Sequence, residues 1–270
     1  MKRSERVIRI LKTLTDNPAK RYPLGHFAAS LGAAKSTISE DVSLIKQTLA
    51  QMGRGTVDTV LGVAGGVRYL PGSDCARAET LIDQLCDALS KPDRILPGGF
   101  LYIADIVFSP VWASVIGELF AERFRASEAE YVLTVETKGI PIALCTAQSL
   151  GVPLVVSRRD ARPTEGPSVS INFVSGSSGQ IQTMSLPKRA LRPSSKVLIV
   201  DDFMKGGGTA KGMTELASEF GAHPIGIAIL IEMAQPERKL VSDYMSLAVL
   251  KSVDAHSRTV DVRPSKRMLL

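Results

Sequence analysis

The stretch Leu198-Ile-Val-Asp-Asp-Phe-Met-Lys-Gly-Gly-Gly-Thr209 constrains this chain more than any other. An apolar strand delivers two adjacent carboxylates, and three glycines then lead into a helix. Glycines at such a turn let backbone N–H groups converge on a phosphate, and the helix N-terminus adds partial positive charge. A phosphate does not favour two carboxylates beside it. Asp201 and Asp202 are therefore expected to serve another part of the ligand, either ribose hydroxyls or a cation bridging to them. The lysine and threonine are not spaced as in a Walker A loop.

Around this loop, apolar runs alternate with helical periodicity. Strands are expected at Tyr131–Val135, Leu154–Ser157, 197–200 and 225–231, with helices at 141–150 and 209–220. That alternation predicts an α/β fold with a mostly parallel sheet covered by helices, whose ligands bind beyond the carboxyl ends of the strands. Leu81, Leu85 and Leu89 give 75–89 the spacing of a packing or dimerising helix. Trp112, Phe108 and Phe120 are expected in the core, and His26, His223 and His256 at the surface or in packing.

The charge is unevenly divided. Residues 1–74 carry 11 Lys and Arg against 6 Asp and Glu, and residues 75–270 carry 22 against 21. A small basic segment ahead of a nearly neutral one suggests a polyanion-binding module. Val7, Ile10, Leu11 and Leu14 line one face of a helix over 3–16 that Asn17-Pro18 ends. A second helix runs from Pro23 to Leu31, and Gly32 breaks it. A third, over 35–49, buries Ile38, Val42, Ile45 and Leu49, and Thr37 with Glu40 has capping-box spacing. Two short helices joined by a tight turn read as helix-turn-helix, with the second helix entering the major groove. Lys35, Ser36, Thr37 and Ser39, with Lys46 farther along, are its expected DNA contacts.

Two extended runs, 56–61 and 67–70, flank Gly62-Val-Ala-Gly-Gly66 and predict a hairpin. Three helices and a hairpin make a winged helix, with Gly65 and Gly66 at the wing and Arg54 and Arg68 supplying charge. Pro71-Gly-Ser73 marks a boundary between domains at 1–73 and 74–270. An apolar fraction of 44% suffices for a core and excludes extended disorder. The apolar runs fall short of the ~20 residues that span a bilayer. Cys75, Cys86 and Cys145 lack paired metal-site spacing, so a reducing cytoplasm is expected.

The strand, the two acids and the Gly-Gly-Thr loop resemble the phosphoribosyltransferase family, which implies a type I phosphoribosyltransferase-like fold. In it, Asp201 and Asp202 would hold the ribose of phosphoribosyl pyrophosphate (PRPP). Phe203 and Met204 would lead into the 5-phosphate loop of Lys205, Gly206, Gly207, Gly208 and Thr209. Glu136-Thr-Lys-Gly-Ile-Pro141 matches the loop that binds pyrophosphate with Mg²⁺, through Thr137, Lys138 and Gly139. The segment 158–184, with Arg158 at its start, corresponds to the loop that closes over the ligand.

The whole chain is similar to the purine-operon repressors of Gram-positive bacteria. The motifs that carry this are Lys35-Ser-Thr-Ile-Ser-Glu-Asp41, Ile95-Leu-Pro-Gly-Gly99, Thr137-Lys-Gly-Ile-Pro141 and Asp201-Asp-Phe-Met-Lys205. The resemblance implies a dimeric, DNA-binding repressor of purine synthesis and salvage genes that is released from double-stranded operator DNA by PRPP. It further implies guanosine tetraphosphate (ppGpp) as a competing corepressor, Tyr102 at the base side of the pocket, and neither a catalytic role nor a membrane partner. Hypoxanthine-type transferases carry an aspartate at the place of Lys205, and a cation there cannot act as a carboxylate base. The alternative is a purine phosphoribosyltransferase with an appended nucleic-acid module.

Overall fold

The computed structural model describes residues 1–60, 62, 65–160, 164, 166–175 and 179–268. Leu61, Val63 and Ala64 of the expected hairpin, and 161–163, 165 and 176–178 of the expected closing segment, lie outside the described residues.

Three helices open the chain: α1 (Arg3–Asp16), α2 (Leu24–Leu31) and α3 (Lys35–Gln51). Ile10, Leu14, Phe27, Ile38, Val42 and Ile45 meet in their shared core. Gly32 ends α2 in the left-handed conformation, which turns the chain sharply into α3. The capping box expected at Thr37 does not form. The helix starts two residues earlier with Ala34 at its N-cap, so Thr37 already lies inside the first turn. Buried Asp41 instead holds α3 to α1, accepting from Arg3 Nε at 3.2 Å and from Arg6. The antiparallel pair β1 (Arg54–Val60) and β2 (Gly66–Ser73) follows, with Tyr22 bridging Val67 on its far edge. This is a winged helix.

The larger unit begins with α4 (Cys75–Leu89), whose N-cap Asp74 accepts from the Arg77 N–H at 2.8 Å. A small hairpin of β3 (Ile95–Leu96) and β4 (Phe100–Leu101) precedes α5 (Ala104–Val107) and α6 (Pro110–Phe124). Then come β5 (Tyr131–Val135), α7 (Gly139–Leu150), β6 (Leu154–Ser157), β7 (Ser168–Val174) and β8 (Ile181–Pro187). The chain finishes through β9 (Lys196–Met204), α8 (Gly208–Glu219), β10 (His223–Met233), β11 (Met245–Asp254) and β12 (Thr259–Pro264).

Among the described residues the central sheet runs β12-β11-β10-β9-β5-β6, parallel except for β12. Ile82, Leu85, Phe120 and Ile142 cover one face, from α4, α6 and α7. Met213 and Leu216 of α8, with Met184 and Leu186 of β8, cover the other. Fully buried side chains of this kind each contribute about 1.5–3 kcal/mol. Trp112 packs against the first core, whereas Phe108 is 52% exposed and leaves the expected core set. No helix among the described residues is long and apolar enough to cross a membrane.

Two segments singled out in the sequence take defined structure. Part of the stretch read as a closing loop forms the antiparallel β7–β8 hairpin, in register from Ser168↔Pro187 to Val174↔Ile181. Pro71-Gly-Ser73 is the end of β2 and is docked on α6. There the Ser73 N–H donates to the Glu122 carboxylate at 2.9 Å, and Arg125 donates to the Pro71 carbonyl.

Candidate anion-binding site and nucleic-acid interface

Parallel strands direct their carboxyl ends to one edge of the sheet, and β5 and β9 open there onto a cavity of about 440 Å³. The two carboxylates lie on the last turns of β9 rather than in the loop after it. Asp201 is 5% exposed, and its Oδ1 accepts the Asp202 N–H at 3.0 Å. Burial, and then the neighbouring Asp202 charge, push the Asp201 carboxyl well above the ordinary carboxylate range. Burial raises Asp202 as well, with Lys138 opposing it. Such a pair gains from hydroxyl donors or a cation arriving between its oxygens.

Beyond β9 the chain turns through Gly207 at φ +85°, which only glycine adopts without strain, and α8 starts at once. Gly207, Gly208 and Thr209 line the cavity with Lys205, Phe203 and Met204. Gly206 is not among the lining residues, and its carbonyl faces away to accept the Leu240 N–H at 2.9 Å. The α8 N-terminus thus presents unpaired N–H groups where an anion is favoured.

The opposite wall comes from the β5–α7 loop, whose Glu136–Thr137 peptide is cis. Thr137 and Lys138 line the cavity, and Lys138 is the N-cap of α7. Gly139 does not line it but sets the spacing beneath. A Cβ there would lie 2.6 Å from Thr134 Oγ1 and 3.1 Å from Asp201 Oδ1. Thr134 Oγ1 is buried without a hydrogen-bond partner among the described residues.

Besides Gly206 and Gly139, two further expected ligand residues fall outside the cavity lining. Arg158 is not among the lining residues: its backbone bridges Ser185, and its guanidinium turns to Glu136, 3.6 Å away. Successive residues of an extended chain face opposite sides, so the next one, Arg159, lines the cavity, and its N–H donates to Glu136 at 2.9 Å. Tyr102 is half-exposed and absent from the wall. Its backbone is tied to Arg94, through its N–H and its carbonyl, beside the β3–β4 hairpin. The structure adds Glu136 and the hairpin residues Phe173, Ser175, Gln182 and Thr183. The quoted loop contained Glu136, but pairing between β7 and β8 is a long-range fact that no local pattern marks. Glu136, Asp201 and Asp202 face Lys138, Arg159 and Lys205, so the lining balances three acids with three bases. No group of metal-ligating side chains stands among the described residues.

On the winged helix, Lys35, Ser36, Ser39 and Lys46 are exposed along α3, and Thr37 is half-buried. Ser36, Ser39, Ser43 and Gln47 form one face, which borders a shallow groove together with Arg3, Glu40 and Leu44. Some of the hairpin residues make contacts within the protein. Arg68 pairs across the strands with Asp58 at 2.9 Å. Gly66 is buried because Tyr22 pairs with Val67 beside it, leaving Gly65 partly exposed at the turn. Arg54 stands at the other end of β1, where its charge acts on half-buried Glu118 of α6.

Helix α7 reaches from the cavity to the winged-helix unit. It starts at Gly139 beside the cavity, runs about 18 Å, and ends at Gly151, where an added Cβ would lie 2.8 Å from Ala19 Cβ in the α1–α2 turn.

Residues 2–71 match the family described as "Bacterial purine repressor, N-terminal", and residues 106–265 match "Phosphoribosyl transferase domain". The chain is 46% identical to "Purine biosynthesis transcriptional repressor PurR" of Bacillus subtilis, over 97% of this chain and 92% of that one. It is 38% identical to "Purine biosynthesis transcriptional activator PurR" of Lactococcus lactis, over 97% of each. Adenine phosphoribosyltransferase from Saccharomyces cerevisiae shares the fold of the larger unit, with a TM-score of 0.54 at 19% identity over 62% of this chain and 98% of that one.

Proposed function

The chain belongs to the bacterial purine repressor family of purine-biosynthesis transcriptional regulators, and from that premise we propose a PRPP-responsive repressor of purine synthesis and salvage genes. PRPP, with Mg²⁺ on its pyrophosphate, occupies the cavity and weakens binding to operator DNA. One observation carries this reading: the buried Asp201 and half-buried Asp202 carboxylates, the amide-rich helix start and Lys138 converge on a single cavity. They suit, in turn, ribose hydroxyls, a 5-phosphate and a pyrophosphate. Helix α7, spanning from that cavity to the α1–α2 turn, supplies a mechanical route to the DNA-binding unit.

Repression as the sign of control follows the Bacillus subtilis relative. Lys205 and Arg159 add positive charge to the wall, which suits a competing guanosine tetraphosphate in the same cavity. The active species is a homodimer in the cytoplasm. Phe100, Tyr102, Phe108 and Val111 stand between 42% and 72% exposed within twelve residues of sequence, a patch suited to cover by a second copy. The test is the affinity for purine-gene promoter DNA with and without Mg²⁺ and PRPP. A fall of tenfold or more at saturating PRPP is expected, and an unchanged affinity would remove the effector assignment.

The cavity senses PRPP without transferring it. Lys205 stands where hypoxanthine-type transferases are expected to keep a carboxylate, and an ammonium cannot take the purine proton. Incubation with Mg²⁺, PRPP and each of adenine, guanine, hypoxanthine and xanthine should give no nucleotide. Multiple turnovers with any base, lost on changing Asp201 and Asp202, would make this protein an enzyme.

A further inference from the structure

The loop that would cradle the 5-phosphate is itself held from behind. Strand β10 ends level with β9, Glu232 opposite Met204, and the chain then crosses behind the loop before returning as β11. From this crossing, Lys239 Nζ donates to the Lys205 carbonyl at 2.8 Å and to the Met233 carbonyl at 2.6 Å. The adjacent Leu240 N–H donates to the Gly206 carbonyl at 2.9 Å. Neither Lys239 nor Leu240 is among the lining residues of the cavity.

The peptide unit is planar and trans, so its N–H points opposite its C=O. With the carbonyls of Lys205 and Gly206 drawn toward the crossing, the N–H groups of Gly206 and Gly207 turn the other way. Those of Gly206, Gly207, Gly208 and Thr209 meet no acceptor among the described residues. A free glycine turn has many alternatives to this arrangement, because glycine loses more conformational freedom on ordering than any other residue.

The crossing is anchored in turn. Buried Glu232 accepts from Tyr244 at 2.5 Å and from Ser246 at 2.7 Å, and Arg267 stacks on the Tyr244 ring at 4.3 Å. Burial lowers the Lys239 ammonium below the ordinary lysine value, and the nearby Glu232 charge opposes that shift.

We propose that Lys239 is a positioning residue for the phosphate loop: its ammonium ties the Lys205 carbonyl to the end of β10 from behind and, with the Leu240 N–H on the Gly206 carbonyl, turns the glycine N–H groups toward the ligand. This rests on the cavity being the PRPP site. Lys239 acts without touching the ligand.

The test uses full-length protein with Lys239→Met and Lys239→Arg. Calorimetry reads PRPP affinity with Mg²⁺, and ¹⁵N-glycine labelling reads the Gly206–Gly208 amide resonances without ligand. Lys239→Met should bind PRPP at least tenfold more weakly and should displace those resonances. Lys239→Arg, which keeps the cationic donors, should stay within threefold of wild type. Unchanged affinity in Lys239→Met, a loss with unmoved glycine resonances, or an arginine variant as weak as the methionine one would overturn the assignment. If thermal melts show that Lys239→Met is unfolded, Lys239→Gln takes its place, and affinity equal to wild type overturns the assignment in the same way. Wild-type protein that fails to bind PRPP would overturn the functional reading and this inference together; wild-type binding beside an unaffected variant overturns the inference alone.

Discussion

Asparagine at both Asp201 and Asp202 is expected to abolish release from DNA by PRPP while raising the melting temperature at neutral pH. A hydrogen bond from a ligand hydroxyl to a charged acceptor is worth about 1.5–3 kcal/mol. Losing two of them weakens PRPP binding by about a hundredfold or more. The stability change runs the opposite way. Burial raises both carboxyls above their ordinary value in the folded chain, and the Asp202 charge raises Asp201 further. Such a group binds its proton more tightly when folded than when unfolded, so folding loses stability as pH rises from the ordinary carboxylate value through the raised one. Asparagine does not ionise and escapes that loss. The gain over wild type should vanish near pH 3, where all forms are neutral, and be complete once the native pair ionises. A gain of 1 kcal/mol would appear as a shift of about 2–4 °C in a unit of this size. Melts at pH 3 and pH 7.5, beside DNA titrations with PRPP, decide the matter. A normal PRPP response in the double variant would remove the ribose assignment, and a lower melting temperature at pH 7.5 would show that the carboxylates stabilise the fold.

Local chemistry explains what was legible beforehand. The run 197–200 is apolar on both sides of the chain, as a central parallel strand must be, and β9 is buried through Asp201. The glycines and Thr209 mark a turn and helix start by their own conformational properties, and both are where expected. Long-range pairing was not legible. Arg158 and Arg159 are chemically equivalent in sequence, and only the bridge from Arg158 to Ser185 settles which one faces the cavity. Arg54 and Arg68 read equally well as wing charges until cross-strand Asp58 and interdomain Glu118 are in place. Only the family resemblance points to Tyr102, and this residue is not among the lining residues of the cavity of its own chain. Strands β11 and β12 escaped the alternating pattern because they follow one another as an antiparallel pair at the edge of the sheet, with no helix between them.

Reversing the charge of Lys35 and Lys46 is expected to weaken binding to promoter DNA by about 60-fold near 0.1 M salt. Eleven residues separate them, three turns of α3 or about 16 Å, so both flank the same side of the face formed by Ser36, Ser39, Ser43 and Gln47. Hydroxyl and amide groups on that face suit base edges, while flanking lysines suit the phosphates on either side of the groove. Each phosphate contact contributes a slope of about −0.9 to the dependence of log affinity on log salt. Removing two lowers the slope by about two and, at 0.1 M, the affinity by about 10^1.8. The loss should be uniform across sequences, because phosphate contacts carry no base information. Reversal of Arg68 should cost less in slope, since its charge is already offset by Asp58 at 2.9 Å. Salt titrations of wild type, Lys35→Glu/Lys46→Glu and Arg68→Glu on one promoter fragment separate the cases. Were the lysine variant to keep its slope while Arg68→Glu lost it, the hairpin and not α3 would carry the phosphate contacts.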